Sequence, residues 1–231
     1  TLIRPLYKLW DRRTASRVST FLANSSHTKA EIRRCYRAQS HTLFPPVRTD
    51  FFTPDASTPR GTHWLAAGAL VPYKRVDLAI QAANRAQHPL TIVGTGPELD
   101  RLKRLAGPTV TFTRAITDNQ MRDHYRRAKL LIQPQLEDFG IAAVEAQACG
   151  TPVVAFAKGG AQDTVKDAAT GALFDQQTVE SLLAAIDRCP AFHSQACREH
   201  AETFSEAAFN EAFLPHARAL MRSSVARASS P

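Results

Sequence analysis

The sequence has few cysteines, and their spacing is not that of a disulfide scaffold. Its four cysteines are scattered over 231 residues, and the N-terminal residues show no signal-peptide pattern. Both features favour a reducing compartment, so we expect a cytoplasmic protein. The cysteines are Cys35, Cys149, Cys189 and Cys197.

Long apolar runs and two common enzyme motifs are also absent. The most apolar stretch, residues 140–156, is interrupted by Glu145, Gly150 and Pro152, whereas a membrane-spanning helix needs about 20 consecutive apolar residues. The sequence therefore predicts no transmembrane helix. It contains neither a Gly-x-Ser-x-Gly elbow nor a P-loop, so hydrolase and nucleoside-triphosphatase activities have no motif to support them.

What is present is the composition of a globular protein. Hydrophobic residues make up 44% of the chain and charged residues 22%, with a mean hydropathy of -0.26, which excludes an intrinsically disordered polymer. A chain of 231 residues can bury a substantial core. It starts at Thr1 within a helical pattern, so we expect a piece of a longer or processed protein.

The formal charge of +8 is concentrated at one end of the chain. Residues 1–50 contain ten basic and three acidic residues, a net charge of +7, and the other 181 contain nineteen and eighteen, a net charge of +1. The first residues form an amphipathic helical pattern, with Arg4, Lys8 and Arg12 opposite Leu2, Leu6, Leu9 and Trp10. Nucleic-acid binding would need aromatic residues placed within a basic stripe to stack on bases, whereas here the basic residues lie opposite the apolar ones, which disfavours nucleic acid. Peripheral contact with an anionic membrane, or packing against another part of the protein, fits the pattern better.

A proline-rich stretch divides the chain. Residues 45–62 contain Pro45, Pro46, Pro54 and Pro59, a composition typical of a connection between domains. We therefore predict an N-terminal unit over residues 1–50, a linker over 51–62, a main domain over 63–222 and a flexible tail over 223–231.

In the main domain, short apolar runs alternate with helical patterns. Strands are predicted over 63–71, 90–93, 110–112, 130–133, 152–156 and 171–174, and helices over 75–86, 98–105, 118–128, 141–149 and 162–167, followed by terminal helices over 178–188 and 199–222. This alternation predicts an α/β fold with a doubly wound parallel sheet, a Rossmann-like domain with flanking N- and C-terminal helices. Ligands of such sheets bind beyond the carboxyl ends of the strands.

Two of the loops at these strand ends carry basic residues or glycines. Lys74 and Arg75 follow the first predicted strand and are suited to neutralising a diphosphate. Gly94-Thr95-Gly96 follows the second strand, but Leu99 replaces the third glycine of a dinucleotide-binding fingerprint. Gly94 and Gly96 therefore form either a tight turn or the backbone lining of a nucleotide pocket.

A third loop combines carboxylates with a helix N-terminus. Glu137 precedes the helix predicted to start near Gly140, and Glu145 lies on its second turn. The free amides around Phe139, Gly140 and Ile141 favour an anion, and two carboxylates beside that anion suit the hydroxyl groups of a sugar nucleotide. Alternatively, Asp138 caps the helix and Glu145 is a surface residue, whose truncation would cost less than about 0.5 kcal/mol.

A zinc cluster is an alternative interpretation of four further residues, Cys189, His193, Cys197 and His200. On one helix these side chains would extend over roughly 16 Å, whereas one zinc ion needs its ligands within about 2.3 Å. We therefore expect no metal site.

Together these motifs resemble glycosyltransferase family 4, whose members are retaining enzymes of the GT-B fold. The resemblance runs from about Phe21 to Phe213. It is carried by Gly68-Ala69-Leu70-Val71-Pro72-Tyr73-Lys74-Arg75, by Gly94-Thr95-Gly96-Pro97-Glu98, by Glu137-Asp138-Phe139-Gly140 through Glu145 to Val153, and by Gly159-Gly160.

The resemblance implies that residues 63–222 are the donor-binding lobe and residues 1–50 the end of an acceptor lobe that is otherwise missing here. It implies that Lys74 contacts the donor diphosphate, that Glu145 binds the ribose and that Glu137 lies near the transferred sugar, which makes Lys74 and Glu137 the candidate catalytic residues. The amides of Phe139, Gly140 and Ile141 would hold the sugar and phosphate. Many relatives have arginine where this chain has Ala69, so Arg75 would take over that phosphate contact.

The resemblance also implies the ligands. The donor would be a nucleotide sugar such as GDP-mannose or a UDP-sugar, with no metal or other cofactor, and the acceptor a saccharide or a lipid-linked sugar in polysaccharide or glycolipid synthesis. We would then expect a cytoplasmic enzyme, with peripheral contact to the inner face of the membrane as an option. A catalytically silent scaffold and a binder of anionic surfaces through residues 1–50 stay open as alternatives.

Overall fold

The computed structural model describes residues 3–114, 116–189 and 194–228. Within them, β1 and β2 form a small sheet, and β3 to β8 form a second sheet in the order β5-β4-β3-β6-β7-β8. Both sheets are parallel throughout. The strands are β1 (Phe21–Ala23), β2 (Ser40–Thr42), β3 (Trp64–Ala67), β4 (Leu90–Val93), β5 (Val110–Thr113), β6 (Leu130–Gln133), β7 (Val153–Phe156) and β8 (Gly171–Phe174).

Helices connect these strands and cover the larger sheet. They are α1 (Ile3–Ala15), α2 (Ser26–Tyr36), α3 (Val76–Ala86), α4 (Leu99–Leu105), α5 (Asp118–Arg127), α6 (Ile141–Ala148), α7 (Ala161–Thr164), α8 (Val179–Arg188), α9 (Ser194–Glu202) and α10 (Glu206–Ala228), with a short 3-10 turn at Pro72–Lys74.

The predicted doubly wound parallel sheet is confirmed. Strand order runs one way from β3 through β4 to β5 and the other way from β6 through β7 to β8, so the direction of winding reverses between β3 and β6. The strand predicted over 63–71 is shorter than expected, because Gly68 has a φ of +136° and turns the chain out of the sheet after Ala67.

The sheet has a hydrophobic core on each face. Successive residues of β3 alternate between the two, with Trp64 and Ala66 on one side and Leu65 on the other, as the pleat of a strand requires. The first core packs against α3 and α8, and the second packs against α5, α6 and α9. Apolar runs bounded by helical patterns predict such two-sided burial.

The N-terminal unit is a separate small sheet covered by helices. Ser25 caps α2, with its Oγ accepting a hydrogen bond from the amide of Thr28 at 3.0 Å. Tyr36 donates a hydrogen bond to Asp11 at 2.9 Å and so ties α2 to α1.

The proline-rich stretch 45–62, which contains the predicted linker 51–62, is partly buried in the main domain. Val47 and Phe52 are each 2% exposed and belong to the second core. The amide of Val47 donates to the carbonyl of Phe204 at 2.9 Å, and Arg198 donates to the carbonyls of Thr49 at 2.6 Å and Phe52 at 2.8 Å. The composition of residues 45–62 predicts irregular structure, but its aromatic residues anchor it to the sheet.

The C-terminal region differs from the prediction in two ways. The helix expected over 199–222 is divided into α9 and α10, because the chain turns at Thr203–Ser205 and the Ser205 hydroxyl accepts from the amide of Ala208 at 3.3 Å. Helix α10 then continues to Ala228 and takes in part of the tail expected from Ser223, a segment of residues compatible with helix. The rest of that tail, residues 229–231, lies outside the described residues.

Helix α1 has an exposed apolar face. Ile3, Leu6, Tyr7, Leu9 and Trp10 are all more than half exposed, from 58% to 78%. The amphipathic pattern predicted over this segment is thus a helix, although Leu2 lies outside the described residues. None of the helices in the described part of the chain is both long enough and apolar enough to cross a membrane.

If Phe52 is part of the core rather than of a free linker, its truncation will destabilise the main domain. Phe52 is 2% exposed and packs edge-on against Tyr125, with ring centroids 5.8 Å apart. We expect Phe52→Ala to lower the free energy of unfolding by about 3–5 kcal/mol, measured by urea denaturation. The half-exposed Val18→Ala is the control, and a loss for Phe52→Ala as small as that of the control would contradict the prediction.

Candidate functional site

The reversal of winding places the ends of β3 and β6 next to each other. Trp64 and Leu65 of β3 pair with Leu130 and Leu131 of β6, and the connections that leave these two strands run to opposite sides of the sheet. In doubly wound sheets, the crevice at such a switch point is where ligands bind. The loops after β3 and β6 carry Lys74 and Glu137.

Lys74 and Glu137 form an ion pair across this crevice. The Lys74 ammonium contacts Glu137 Oε1, and the two side chains are 20% and 22% exposed. Gln135 donates from Nε2 to the same oxygen at 3.0 Å. Partial burial lowers the pKa of Lys74 below its ordinary value. The structure therefore brings together the two candidate catalytic residues, which are 63 positions apart in the sequence.

The ion pair lies in an open cleft of about 410 Å³. One wall comes from the loops after β3 and β6 and from the start of α6, and the other comes from the N-terminal unit. The lining residues are Asn24, Pro45, Ala67, Gly68, Lys74, Gln133, Gln135, Glu137, Phe139, Gly140, Ile141 and Ala142.

Two glycines after β7 hold the Glu137 loop in place. The amide of Gly160 donates to the carbonyl of Glu137 at 2.7 Å, and Glu137 and Gly159 form a β-bridge. A Cβ on Gly159 would overlap the carbonyl of Glu137, and one on Gly160 would overlap the backbone of Phe139. Only glycine permits this close approach, so Gly159 and Gly160 act as supports of the site.

The N-terminus of α6 faces the cleft as expected. Gly140 precedes the helix with a φ of +94°, and the first turn contains no acidic residue. The first amides of a helix have no acceptor within it, and they carry the positive end of its dipole. Phe139 is 4% exposed and packs against Phe44 and Phe204, so its side chain belongs to the core. The backbone amides at Phe139, Gly140 and Ile141, rather than the Phe139 side chain, are therefore the groups suited to an anion.

Glu145 is half-buried, contrary to the expectation of a surface residue. Its Oε2 accepts a hydrogen bond of 2.9 Å from the hydroxyl of Tyr125, which is 1% exposed. Burial raises the pKa of the Glu145 carboxyl, while the Tyr125 hydrogen bond acts in the opposite direction. The surface interpretation was wrong because the helical pattern around Glu145 gives no information about Tyr125, which comes from α5.

Arg75 is not among the residues that line the cleft. It adopts a φ of +51°, and its guanidinium pairs with Asp77 at 3.2 Å and donates to Gln177 at 3.3 Å. Gln177 in turn donates to the carbonyl of Pro134 at 2.6 Å. Arg75 thus contacts the β6 loop only through Gln177, and its phosphate contact stays a prediction.

Gly94 and Gly96 permit a close approach between the loops after β4 and β3. A Cβ at Gly94 would overlap the carbonyl of Gly68, and one at Gly96 would overlap that of Leu70. Neither glycine is among the residues that line the cleft. This geometry is that of the tight turn, and a nucleotide contact by this turn stays a prediction.

Three polar residues of the cleft lining were missed at the sequence level: Asn24, Gln133 and Gln135. Gln133 and Gln135 are only 6% and 5% exposed. The sequence does contain a pattern that could have indicated the two glutamines. Gln133 is a polar residue at the end of the apolar run 130–132, and Gln135 lies two positions before Glu137. Asn24 follows β1 and has no such signal.

The residues of the zinc alternative are not arranged around one point in the described chain. Cys197 and His200 are buried in α9 and Cys189 ends α8, while His193 lies outside the described residues. Over residues 3–114, 116–189 and 194–228, no three His, Cys, Asp or Glu side chains are grouped to hold a metal ion.

The doubly wound sheet, with the Lys74 ammonium and a helix N-terminus at its switch point, defines a Rossmann-like domain. Residues 57–210 match the family of glycosyl transferases group 1. The chain belongs to this family, which confirms the resemblance found in the motifs.

Curated relatives match this chain over about half of their own length. The chain is 34% identical over 203 residues to D-inositol 3-phosphate glycosyltransferase from Mycolicibacterium smegmatis, covering 77% of this chain and 47% of that protein. It is 34% identical over 172 residues to a GDP-mannose-dependent alpha-(1-6)-phosphatidylinositol monomannoside mannosyltransferase from the same organism, covering 62% and 45%. The chain therefore spans about half the length of the curated relatives it matches.

Solved structures of low sequence identity share the fold. Sucrose-phosphate synthase from Thermosynechococcus elongatus has a TM-score of 0.84 at 24% identity, covering 94% of this chain and 62% of that one. HepE from Anabaena, solved with UDP-glucose, has a TM-score of 0.75 at 18% identity, covering 92% and 67%. These similarities confirm the Rossmann-like lobe of a GT-B fold.

The Tyr125 contact makes Glu145 a determinant of stability. We expect Glu145→Ala to lower the free energy of unfolding by about 1–3 kcal/mol, because it leaves the buried Tyr125 hydroxyl without its acceptor. Glu145→Gln keeps an acceptor and removes a carboxylate that burial disfavours, so it should stay close to the parent. Urea denaturation at pH 7 measures both, and a Glu145→Ala value within about 0.5 kcal/mol of the parent would restore the surface interpretation.

Proposed function

We propose that this chain is the donor-binding half of a retaining glycosyltransferase, which transfers a hexose, with mannose as the first candidate, from a nucleotide-diphosphate sugar. The observation that carries the proposal is the Lys74–Glu137 ion pair in the same cleft as the N-terminus of α6. One wall thus offers the Lys74 ammonium and the free backbone amides of α6 to an anion. The same wall offers the Glu137 carboxylate and the Gln135 side-chain amide to hydroxyl groups.

The diphosphate is bound by Lys74 and by the backbone at Phe139, Gly140 and Ile141. Without a neighbouring cation, the Glu137 carboxylate would repel a dianionic group placed beside it. Lys74 neutralises that carboxylate, and the α6 dipole favours the negative charge that the donor adds. Arg75 contributes less than Lys74 to binding the diphosphate, since Asp77 already accepts a hydrogen bond from its guanidinium.

The carboxylates bind the hydroxyl groups of the donor. Glu137 Oε1 already accepts from Gln135 and contacts Lys74, which leaves Oε2 for a hydroxyl of the transferred sugar. Glu145 lies on the second turn of α6 and is held by Tyr125, and it binds the ribose. The order phosphate, sugar and ribose along α6 follows the family resemblance.

The chemistry requires no nucleophilic carboxylate. The acceptor oxygen forms a bond to the anomeric carbon on the face from which the phosphate leaves, the carbon–phosphate-oxygen bond breaks, and the acceptor proton passes to the leaving phosphate. The protein contributes position and charge stabilisation, through Lys74 and the α6 amides, at the phosphate where negative charge develops. Neither a metal nor a cofactor takes part.

The relatives suggest donor and acceptor classes. One is named as GDP-mannose-dependent and acts on a phosphatidylinositol mannoside, and another is named for inositol 3-phosphate. GDP-mannose is therefore the first donor to test and UDP-sugars the second, with a saccharide or lipid-linked acceptor. A cytoplasmic enzyme with peripheral membrane contact through α1 is compatible with such acceptors.

One observation favours a second candidate. The exposed apolar residues of α1, flanked by Arg4, Lys8 and Arg12, would suit an anionic surface. A silent scaffold that binds such a surface would keep the fold and lose affinity for nucleotides. Nucleotide titration separates these alternatives.

Donor binding is tested by calorimetric titration of the chain with GDP and, separately, with UDP. We expect one nucleotide to bind, and Lys74→Ala to weaken it by about 10- to 100-fold, because a hydrogen bond to a charged group contributes about 1.5–3 kcal/mol. Lys103→Ala, on the exposed side of α4, changes the net charge equally and should leave the affinity unchanged. No binding of either nucleotide, or an equal loss in both variants, would overturn the proposal.

The lowered pKa of Lys74 predicts a pH dependence of this affinity. As the pH rises through that pKa, the free protein loses the ammonium proton, so diphosphate binding should weaken at a lower pH than for an ordinary lysine. Lys74→Arg stays protonated and is the control, which also corrects for ionisation of the nucleobase. Parallel affinity–pH profiles of the parent and Lys74→Arg between pH 7 and about 10 would contradict this role of Lys74.

A further inference from the structure

Gln133 is a buried polar residue at the end of an apolar strand. Leu130, Leu131 and Ile132 of β6 are at most 2% exposed, and Gln133 follows them at 6%. A primary amide removed from water costs free energy unless its donor and acceptor groups are paired. Buried side-chain amides in proteins are therefore almost always hydrogen-bonded.

The side chain of Gln133 has no such partner among residues 3–114, 116–189 and 194–228. Gln147, a second buried glutamine, donates to the carbonyls of Ala143 at 3.1 Å and Thr164 at 2.6 Å. Gln133 instead lines the cleft that contains Lys74 and Glu137. Its amide borders the cleft without a hydrogen-bond partner among the described residues, and it stays open to solvent or to a ligand rather than sealed in the core.

The position of this amide relates it to the start of α6. A Cβ built on Gly140 would come within 3.4 Å of Gln133 Oε1 and 3.8 Å of Thr164 Oγ1. Gln133 therefore lies directly below the residue at which the amides of α6 begin. A half-turn of the side-chain amide exchanges Oε1 and Nε2, so the same position can present an N–H donor.

We infer that Gln133 is a donor-binding residue, which donates a hydrogen bond to the phosphate group that the N-terminus of α6 receives. This inference rests on the proposed function. The site would take the sugar-linked phosphate of a nucleoside diphosphate. Gln133 adds a neutral donor to those of Lys74 and the α6 backbone without adding charge, and a ligand provides the partner that the protein lacks.

A matched pair of readouts separates this role from a structural one. Gln133→Leu keeps the approximate volume and removes the unpaired polar groups, so the melting temperature should equal or exceed that of the parent. The same variant should bind the diphosphate about tenfold more weakly. A glutamine that serves only packing would alter the melting temperature and leave the affinity unchanged.

The experiment is calorimetric titration of the parent, Gln133→Leu and Gln133→Glu with GDP, UDP and the monophosphates GMP and UMP. We expect Gln133→Leu to weaken the diphosphate that the parent binds, while its monophosphate is unaffected. Gln133→Glu should bind less than Gln133→Leu at pH 8, because it adds a negative charge. Relative to the parent, it should recover at pH 5, where a protonated carboxyl can donate as the amide does.

Each other outcome overturns a defined statement. An unchanged diphosphate affinity in Gln133→Leu would overturn the inference alone, since binding by the parent upholds the proposed function. A loss seen with GDP-mannose or UDP-glucose but not with the diphosphates would overturn the phosphate contact and assign Gln133 to the sugar. No binding by the parent would overturn the proposed function and the inference together.

Discussion

The reversal of winding between β3 and β6 is the constraint on which the candidate site depends. Parallel strands end at the same edge of the sheet, and the helices that follow β3 and β6 pack on opposite faces of it. The two connections therefore diverge and open a crevice between them. Lys74 and Glu137 meet there although they are far apart in the sequence. Gly159, Gly160 and Gln135 hold the loop that carries Glu137, and the N-terminal unit forms the second wall of the cleft.

Holding a cation and an anion in a partly buried crevice has an energetic cost. Each charge loses hydration, and the mutual attraction of the pair offsets this loss only when the geometry is well defined. The surrounding structure supplies that geometry, with Gly159 and Gly160 bonding to the backbone of the Glu137 loop and Gln135 donating to its carboxylate. Burial lowers the pKa of Lys74, because desolvation disfavours its charged form. A bound anionic ligand would place a further negative charge beside this ammonium and so favour its protonated form.

Sequence patterns predict the parts of this arrangement that are local. The period of the apolar runs fixes the sheet, and the position of a loop after its strand fixes the edge at which Lys74 and Glu137 lie. Contacts made by distant segments have no local signal. Tyr125 under Glu145, Asp77 beside Arg75 and the burial of Phe52 all depend on packing between elements. Proline content indicated irregular backbone at residues 45–62, but it carries no information about which aromatic residues of that stretch are buried.

The N-terminal unit forms part of the candidate site. Asn24 and Pro45 line the cleft, and the amide of Ser26 donates to Asp163 of α7 at 2.8 Å. Phe44 packs against Phe139 and Phe204, with ring centroids 5.9 Å and 5.1 Å apart. Because Phe139 immediately precedes the amides that start α6, a shift of Phe44 would change the position of the backbone proposed to bind the anion. Under the proposed function, ligand binding at α6 and the placement of the N-terminal unit would be coupled through this aromatic cluster, and by linkage each would affect the other equally.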